Sequence, residues 1–65
     1  AYESYDEYLK TTFAGYTDED LVETRRRITR LKQEGSWTKT DEDADRRVSH
    51  IEAEQARRRR EKEAK

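Results

Sequence analysis

The chain has 65 residues, 48% of them charged and 29% hydrophobic, and its 15 basic and 16 acidic side chains leave a net charge of −1. That length excludes more than one small domain, and a domain of this size buries only ~60% of the surface that its unfolded chain exposes. The absence of cysteine excludes disulfides, thiol chemistry and a zinc site built on thiolates.

The balance of charges indicates the fold class. A chain with so few aliphatic residues is often disordered, but disorder usually comes with a high net charge, which this chain lacks. Glutamate, arginine, lysine and alanine are good helix formers, and no proline interrupts them. We therefore expect an all-α module that occupies residues 1–65 as one unit.

The first predicted helix is short and covers about residues 4–13. Ser4 and Glu7 match the capping box, in which each side chain satisfies a backbone N–H of the first turn. Apolar residues then recur at every fourth position and share one face. These residues are Tyr5, Leu9 and Phe13. Gly15 is expected to end the helix, and the apolar face is expected to close the open end of a hairpin formed by the next two helices.

The second predicted helix covers residues 18–34 and begins with the sequence TDED. Thr17 is the expected N-cap, and the three carboxylates that follow it meet the positive end of the helix dipole. Seam residues then recur at the three- and four-residue steps of helix packing. They are Leu21, Thr24, Ile28 and Leu31, and all but Thr24 are apolar. Gly35 is the expected C-terminal stop.

The third predicted helix covers residues 41–60 and begins with the same sequence TDED. Thr40 is its expected N-cap, again followed by three carboxylates in the first turn. The seam residues of this helix are Ala44, Val48 and Ile51. The repeated tetrapeptide therefore predicts two helix starts of one kind.

The end of the third helix carries charged residues in place of apolar ones. Ion pairs at i,i+4, such as Glu54 with Arg58 and Arg57 with Glu61, support an exposed helix by a few tenths of a kcal/mol each. No apolar residue remains to dock this extension. Residues 61–65 are therefore expected to fray.

The second and third helices are expected to pair as an antiparallel αα-hairpin. Only the five residues 35–39 separate them, and a connection of that length favours antiparallel neighbours. The predicted hairpin core combines the two seams. It consists of Leu21, Ile28, Leu31, Ala44, Val48 and Ile51.

Aromatic residues are numerous for so small a core. Tyrosine and tryptophan are enriched at protein interfaces because they bury a large area and keep a polar group. The sequence therefore predicts either that these aromatic residues cap the ends of the hairpin or that they form a protein interface with the first helix and the two connections. The residues assigned to the interface are Tyr5, Tyr8, Leu9, Phe13, Tyr16 and Trp37.

Residues 41–52 carry oxygen ligands at the spacing of an EF-hand calcium loop. The candidate metal ligands are Asp41, Asp43, Asp45, Ser49 and Glu52. The loop needs a residue tolerant of positive φ at its sixth position, which is Arg46 here, and the hairpin seam needs Val48 and Ile51. We expect a capped helix, and a calcium-responsive module is the alternative.

A run of four arginines near the end of the chain suggests contact with phosphates. The run is Arg57, Arg58, Arg59 and Arg60. Successive helical residues point in different directions, so these arginines do not line one stripe, and the sequence pI near 5.9 is low for a nucleic-acid binder. A small nucleic-acid-associated regulator that uses this basic half is therefore a second alternative.

Catalysis is not expected. His50 is the only histidine, and Ser49 beside it points about 100° away on a helix, out of hydrogen-bond reach. Glu54, one turn later, is the expected partner of His50. The chain carries no phosphate-binding glycine loop, and we expect no cofactor.

The expected function follows from the shortage of apolar side chains. Burial barely offsets chain entropy in scaffolds this small, so we expect the module to be completed by a protein partner or by itself. This is a non-enzymatic structural or adaptor role, for example as an accessory subunit of a multi-copy assembly such as a phage particle. No apolar run reaches the ~20 residues that span a bilayer and no signal peptide is recognisable, so we expect a location in the cytoplasm or within an assembly, without membrane contact.

Overall fold

The computed structural model describes residues 3–64, and these residues form three helices and no strand. The helices are α1 (Tyr5–Ala14), α2 (Asp18–Glu34) and α3 (Asp41–Glu63). This architecture confirms the predicted all-α class with a helical hairpin. None of the three described helices combines the length and apolar character needed to cross a membrane.

A side-chain hydroxyl caps the first turn of each helix at the residue that the sequence predicts. At α1 the Ser4 hydroxyl accepts from the Glu7 N–H at 3.1 Å, but the structure shows no bond from the Ser4 N–H to the Glu7 side chain, so the predicted capping box is only half formed. The Thr17 hydroxyl accepts a hydrogen bond from the Asp20 backbone N–H at 3.0 Å, and the Asp20 carboxylate accepts one from the Thr17 N–H. The Thr40 hydroxyl accepts from the Asp43 N–H at 3.1 Å. Both copies of TDED are therefore N-terminal caps, which satisfy backbone donors that the helix itself leaves unpaired.

The two glycines end their helices in different conformations. Gly35, after α2, has φ 72° and lies in the left-handed region, and it is the one residue with positive φ among residues 3–64. Gly15, after α1, has φ −85° and stays right-handed. Only Gly35 therefore needs the conformational freedom of glycine.

Replacing the two glycines with alanine is expected to have opposite effects. Gly35→Ala should cost roughly 1 kcal/mol, because an added Cβ meets no atom within 4 Å and only the left-handed backbone is strained. Gly15→Ala should be neutral or stabilising by up to about 1 kcal/mol, because its Cβ makes an ordinary 3.5 Å contact with the Thr12 carbonyl oxygen. Urea unfolding followed by circular dichroism measures both. Equal effects would contradict the two cap geometries.

Helices α2 and α3 run antiparallel, and ion pairs between them mark the register. The three pairs are Lys32–Asp45 at 2.6 Å, Arg25–Glu52 at 3.4 Å and Asp18–Arg58 at 2.7 Å. As α2 proceeds toward its end, its partners on α3 move toward the start. The antiparallel pairing that the short connection predicts is therefore present.

Helix α1 lies along α3 and runs parallel to it. The Tyr5 hydroxyl at its start contacts Asp43, and the carbonyl of Ala14 at its end accepts from Arg58. The prediction that the apolar face of α1 only closes the open end of the hairpin is thereby corrected. Leu9 and Phe13 pack against α3 instead, since the polar contacts at both ends hold α1 along its length.

The core consists of six buried apolar side chains from all three helices. They are Leu9, Phe13, Leu21, Ile28, Ala44 and Ile51, each at most 4% exposed. Tyr16, Trp37 and Val48 are half-buried against it. Leu31, a predicted core residue, is also only half-buried. Of the six residues predicted for the hairpin core, Leu31 and Val48 are therefore only partly buried.

Helix α3 reaches Glu63, three residues beyond the end that the sequence predicts. An ion pair between Arg57 and Glu61 at 2.6 Å supports this last part, and the Ala64 N–H donates to the Arg60 carbonyl at 3.0 Å. Of the tail expected to fray, Lys65 lies outside the described residues. The i,i+4 charge pattern thus extends the helix without apolar contacts.

Candidate protein-interaction surfaces

Aromatic side chains gather around one arginine at the turn end of the hairpin. The Arg47 guanidinium lies 5.8 Å from the ring centre of Trp37 and 6.0 Å from that of Tyr5, both within cation–π range. Tyr5 in turn stacks on Tyr8, with ring centres 6.2 Å apart and 19° between planes. We call this group, together with Asp43, the aromatic end.

Three parts of the chain build the aromatic end. Tyr5 is the first residue of α1, Trp37 lies in the α2–α3 connection, and Asp43 and Arg47 belong to the first turns of α3. The Asp43 carboxylate accepts hydrogen bonds from the Tyr5 hydroxyl at 2.6 Å and from Arg47 Nε at 2.9 Å. Asp43 therefore fixes the spacing between the tyrosine and the arginine.

Electrostatics within the aromatic end follow from these contacts. Partial burial alone would raise the pKa of the Asp43 carboxyl, but the hydrogen bonds from Tyr5 and Arg47 outweigh it and lower that pKa. Burial, together with the hydrogen bond to Asp43, raises the pKa of Tyr5. The tyrosine thus stays a neutral donor and the aspartate a charged acceptor at neutral pH.

The aromatic end exposes apolar surface and leaves one polar group without a hydrogen-bond partner. Tyr5 and Tyr8 are 39% and 42% exposed although they are large rings. The Trp37 indole N–H is buried and has no hydrogen-bond partner among the described residues. A buried unpaired donor costs about 1–3 kcal/mol, so this end is where the fold is least complete.

The six residues that the sequence assigns to an interface divide between three places. Tyr5, Tyr8 and Trp37 meet at the aromatic end. Leu9 and Phe13 are instead 1% and 2% exposed, so their interface assignment is corrected to a core role. The last of the six is Tyr16, which is half-buried at the opposite end, with its ring edge-on to that of Phe13 at 5.2 Å.

The sequence gives little sign of the role of Arg47. Its spacing of four residues from Asp43 indicates an ion pair on one helix face. Its position between Tyr5 and Trp37 depends on how α1 and the connection pack on α3. No local pattern carries that information.

Arg58 joins three parts of the chain at the end opposite the turn. Its Nε donates to the Glu54 carboxylate at 2.7 Å, and one Nη donates to Asp18 at 2.7 Å. The other Nη donates to the backbone carbonyls of Tyr16 at 2.6 Å and Ala14 at 3.2 Å. The predicted Glu54–Arg58 pair is confirmed, and the contacts to the α1–α2 connection are additional.

The four arginines proposed for phosphate contact have different surroundings. Arg57 pairs with Glu54 and Glu61, and Arg58 with Glu54 and Asp18. Arg59 and Arg60 are exposed and form no ion pair with any residue between 3 and 64. Half of the run is therefore neutralised by carboxylates within the fold.

The candidate calcium ligands lie on a regular helix and do not converge. Asp41 to Glu52 all belong to α3, where successive side chains point about 100° apart. Asp43 is engaged at the aromatic end, and Asp45 and Glu52 pair with cations of α2. Residues 3–64 contain no group of three or more acidic, histidine or cysteine side chains that could hold a metal ion. The ligand assignment is thereby corrected to capping and ion pairing.

His50 pairs with α1 and not with Glu54. Its Nε2 lies 3.0 Å from the Asp6 carboxylate, while Glu54 accepts from Arg57 and Arg58. The hydrogen bond from His50 lowers the pKa of Asp6. Glu54 does not pair with His50, because Arg57 and Arg58 already donate to its carboxylate.

Two open depressions of about 420 and 390 Å³ follow each other along α2 and α3, and we call them together the furrow. On α3 its lining residues alternate in steps of four and three, the repeat of a helix-packing seam. They include Asp41, Asp45, Val48, Glu52, Gln55 and Arg59. On a helix Glu52 points about 160° away from His50, which faces α1, so the furrow and α1 lie on opposite sides of α3.

Acid is expected to destabilise the fold through Glu54, which is 8% exposed. Hydrogen bonds from Arg57 and then Arg58 outweigh burial and lower the pKa of Glu54. A carboxyl group whose pKa is lower in the folded than in the unfolded chain stabilises the fold above its unfolded pKa, about 4.3, and loses that contribution as the pH falls through the folded value. Stability should therefore decline below about pH 4.3.

Urea unfolding followed between about pH 6 and pH 2 measures this decline. The Glu54→Gln variant should lose less stability over that range than the parent chain, because it has no carboxyl group to protonate. The same slope in both proteins would contradict the role of Glu54.

Comparisons with known proteins give no relative to guide these assignments. The chain matches no protein-family model, no curated protein and no solved structure. The functional assignment therefore rests on the residues of the two surfaces themselves.

Proposed function

We propose that this chain is a non-enzymatic binding module that docks onto another protein through its aromatic end. The observation that carries the proposal is the exposed Tyr5–Tyr8 stack beside Arg47, with Trp37 next to it. Tyrosine, tryptophan and arginine are the residue types that dominate binding energy at protein interfaces. Here they form one patch that the fold leaves partly uncovered.

The patch is also arranged before any partner binds. Asp43 holds the Tyr5 hydroxyl and the Arg47 guanidinium in place by hydrogen bonds of 2.6 and 2.9 Å. Side chains that are already ordered lose less conformational entropy when they bind, and that raises affinity. The rigid rings of Tyr5 and Trp37 therefore suit a docking surface better than flexible chains would.

The partner proposed is a protein with a shallow apolar depression. The two exposed tyrosine rings offer apolar area, and the guanidinium offers a charge at the centre. Such a patch fits a complementary surface with hydrogen-bond acceptors at its rim. The furrow and the arginine run do not take part in this contact.

The test is capture from an extract of the native source, followed by a measured affinity. The parent chain and the Tyr8→Ala variant serve as paired baits, and each enriched protein is then titrated against both by calorimetry and by Trp37 fluorescence. Tyr8→Ala is expected to weaken binding by at least about tenfold. Circular dichroism of the variant shows whether its helices are intact.

Val22→Ala is the matched control, since Val22 is 41% exposed but lies on the furrow. It should bind the partner as the parent does. A partner whose affinity falls with Val22→Ala and not with Tyr8→Ala would overturn the assignment to the aromatic end.

A further inference from the structure

The furrow carries opposite charge at its two ends. Near the hairpin turn it is lined by Asp41, Asp45 and Glu52, with Lys32 as the one cation. Toward the other end the lining is mostly basic. The cations there are Arg25, Arg58, Arg59 and Lys62, with Asp18 as the one acid. Each end is therefore complementary to the other, but the two ends of one molecule cannot meet.

Some of these charged side chains form ion pairs within the chain. The unpaired ones are still acidic at one end of the furrow and basic at the other. Lys32–Asp45, Arg25–Glu52 and Asp18–Arg58 are the internal pairs. Asp41 at the turn end, and Arg59 and Lys62 at the opposite end, form no ion pair with another described residue. The unpaired acid and the unpaired bases thus lie at opposite ends of the furrow.

The Arg25–Glu52 ion pair crosses the middle of the furrow, and apolar or uncharged residues flank that pair. Val22 is 41% exposed there, Val48 is half-buried, and Thr29, Ser49 and Gln55 are uncharged. The steps of four and three along α3 are those with which helices pack side by side in bundles. The furrow therefore has apolar side chains and an internally paired charge at its middle, and unpaired charges at its ends.

We infer that the furrow is covered by a second copy of this chain, placed antiparallel to the first. A two-fold axis through the middle of the furrow brings the acidic end of each copy onto the basic end of the other. Asp41 of one copy then faces Arg59 and Lys62 of its partner, while Val22 and Val48 meet near the axis. Helices α2 and α3 of both copies form a four-helix bundle, and α1 remains outside.

Two features select this arrangement over others. A parallel pair would place acid against acid and base against base, which costs free energy. A two-fold pair also closes on itself, so it stops at a dimer and does not grow into a fibre. The furrow shares no residue with the aromatic end, so this inference does not depend on the proposed function.

The first measurement is mass against concentration, by sedimentation equilibrium of the full chain. A dimer is expected. Its affinity should fall when the salt concentration rises from about 0.05 to 1 M, because the Debye length, over which charges attract each other, shortens to about 3 Å. The double variant Arg59→Glu/Lys62→Glu should self-associate at least about tenfold more weakly, and so should Asp41→Lys/Asp45→Lys. Mixed together, these two variants should form a heterodimer. Circular dichroism shows that each variant is folded.

The second measurement distinguishes antiparallel from parallel pairing. The chain has no cysteine, so Asp41→Cys and Lys62→Cys each add a single thiol. Within one chain these positions are about 31 Å apart along α3, whereas a disulfide needs Cα atoms within about 7 Å. Mixed in a glutathione redox buffer, the two variants should form the 41–62 disulfide well above the half that random pairing gives.

Several results would overturn the inference. They are a monomer up to about 1 mM by the first measurement, a dimer indifferent to both charge variants, or a preference for 41–41 and 62–62 disulfides. A monomer whose basic end instead binds a duplex oligonucleotide with steep salt dependence would assign the furrow to phosphates. A dimer lost on Tyr8→Ala and kept by both charge variants would place self-association at the aromatic end.

Discussion

Replacing Ile51 with alanine is expected to remove most of the stability of this fold. Ile51 is fully buried at the centre of the six-residue core. Truncating a buried isoleucine to alanine costs about 2–5 kcal/mol, because apolar contacts are lost and a cavity remains. A chain of this size has roughly 3–10 kcal/mol in total, so one substitution removes a large part of it.

Urea unfolding at low micromolar concentration, followed by circular dichroism at 222 nm, measures the loss. Ile51→Val should cost only about 0.5–1.5 kcal/mol, because it removes one methylene group. Val22→Ala deletes aliphatic carbons at a 41% exposed position and should cost less than about 1 kcal/mol. If Ile51→Ala is no more harmful than Val22→Ala, the core does not lie where the helices place it.

Replacing Arg58 with alanine is expected to be the most harmful change among the charged residues. Glu54 would keep Arg57 but lose one of its two cationic partners, and the Tyr16 carbonyl would lose a 2.6 Å hydrogen bond. A buried polar group that loses its partner keeps the free-energy cost of its desolvation, because no hydrogen bond offsets it. The contacts that tie α3 to the α1–α2 connection would disappear together.

We expect Arg58→Ala to lower the midpoint of thermal unfolding by roughly 5–10 °C. Arg60→Ala is the matched control, because Arg60 is exposed, lies two residues away and forms no ion pair with any residue from 3 to 64. It should change the midpoint by no more than about 2 °C. Equal midpoints for the two variants would show that the Arg58 contacts contribute nothing to stability.

The elements that the sequence predicts well depend on local chemistry. Thr17 and Thr40 cap their helices because the donors they satisfy lie three residues away. The seam of α2 and α3 follows from three- and four-residue spacing, which sets which side chains share a face. The antiparallel pairing follows from the short connection. Each of these features needs no information from distant parts of the chain.

The features that sequence reasoning misplaces depend on residues far apart in the chain. Arg58 reaches the carbonyl of Tyr16, and His50 reaches Asp6, across more than forty positions. The i,i+4 rule pairs His50 with Glu54, but Arg57 and Arg58 of the same helix occupy that carboxylate, and the observed partner of His50 is Asp6 of α1. The course of α1 along α3, and with it the burial of Leu9, is decided by such contacts.

Helix α1 has a property that follows from its length. It has 10 residues and buries two of them, Leu9 and Phe13. An isolated helix shorter than ~12–15 residues is marginal in water, so α1 cannot leave α3 and stay helical. Undocking and melting are therefore a single event for this segment. Because Tyr5 is the first residue of α1, the ring stack beside Arg47 forms and is lost together with this helix. Amide hydrogen exchange should therefore be fastest in α1 and at the aromatic end, at similar rates.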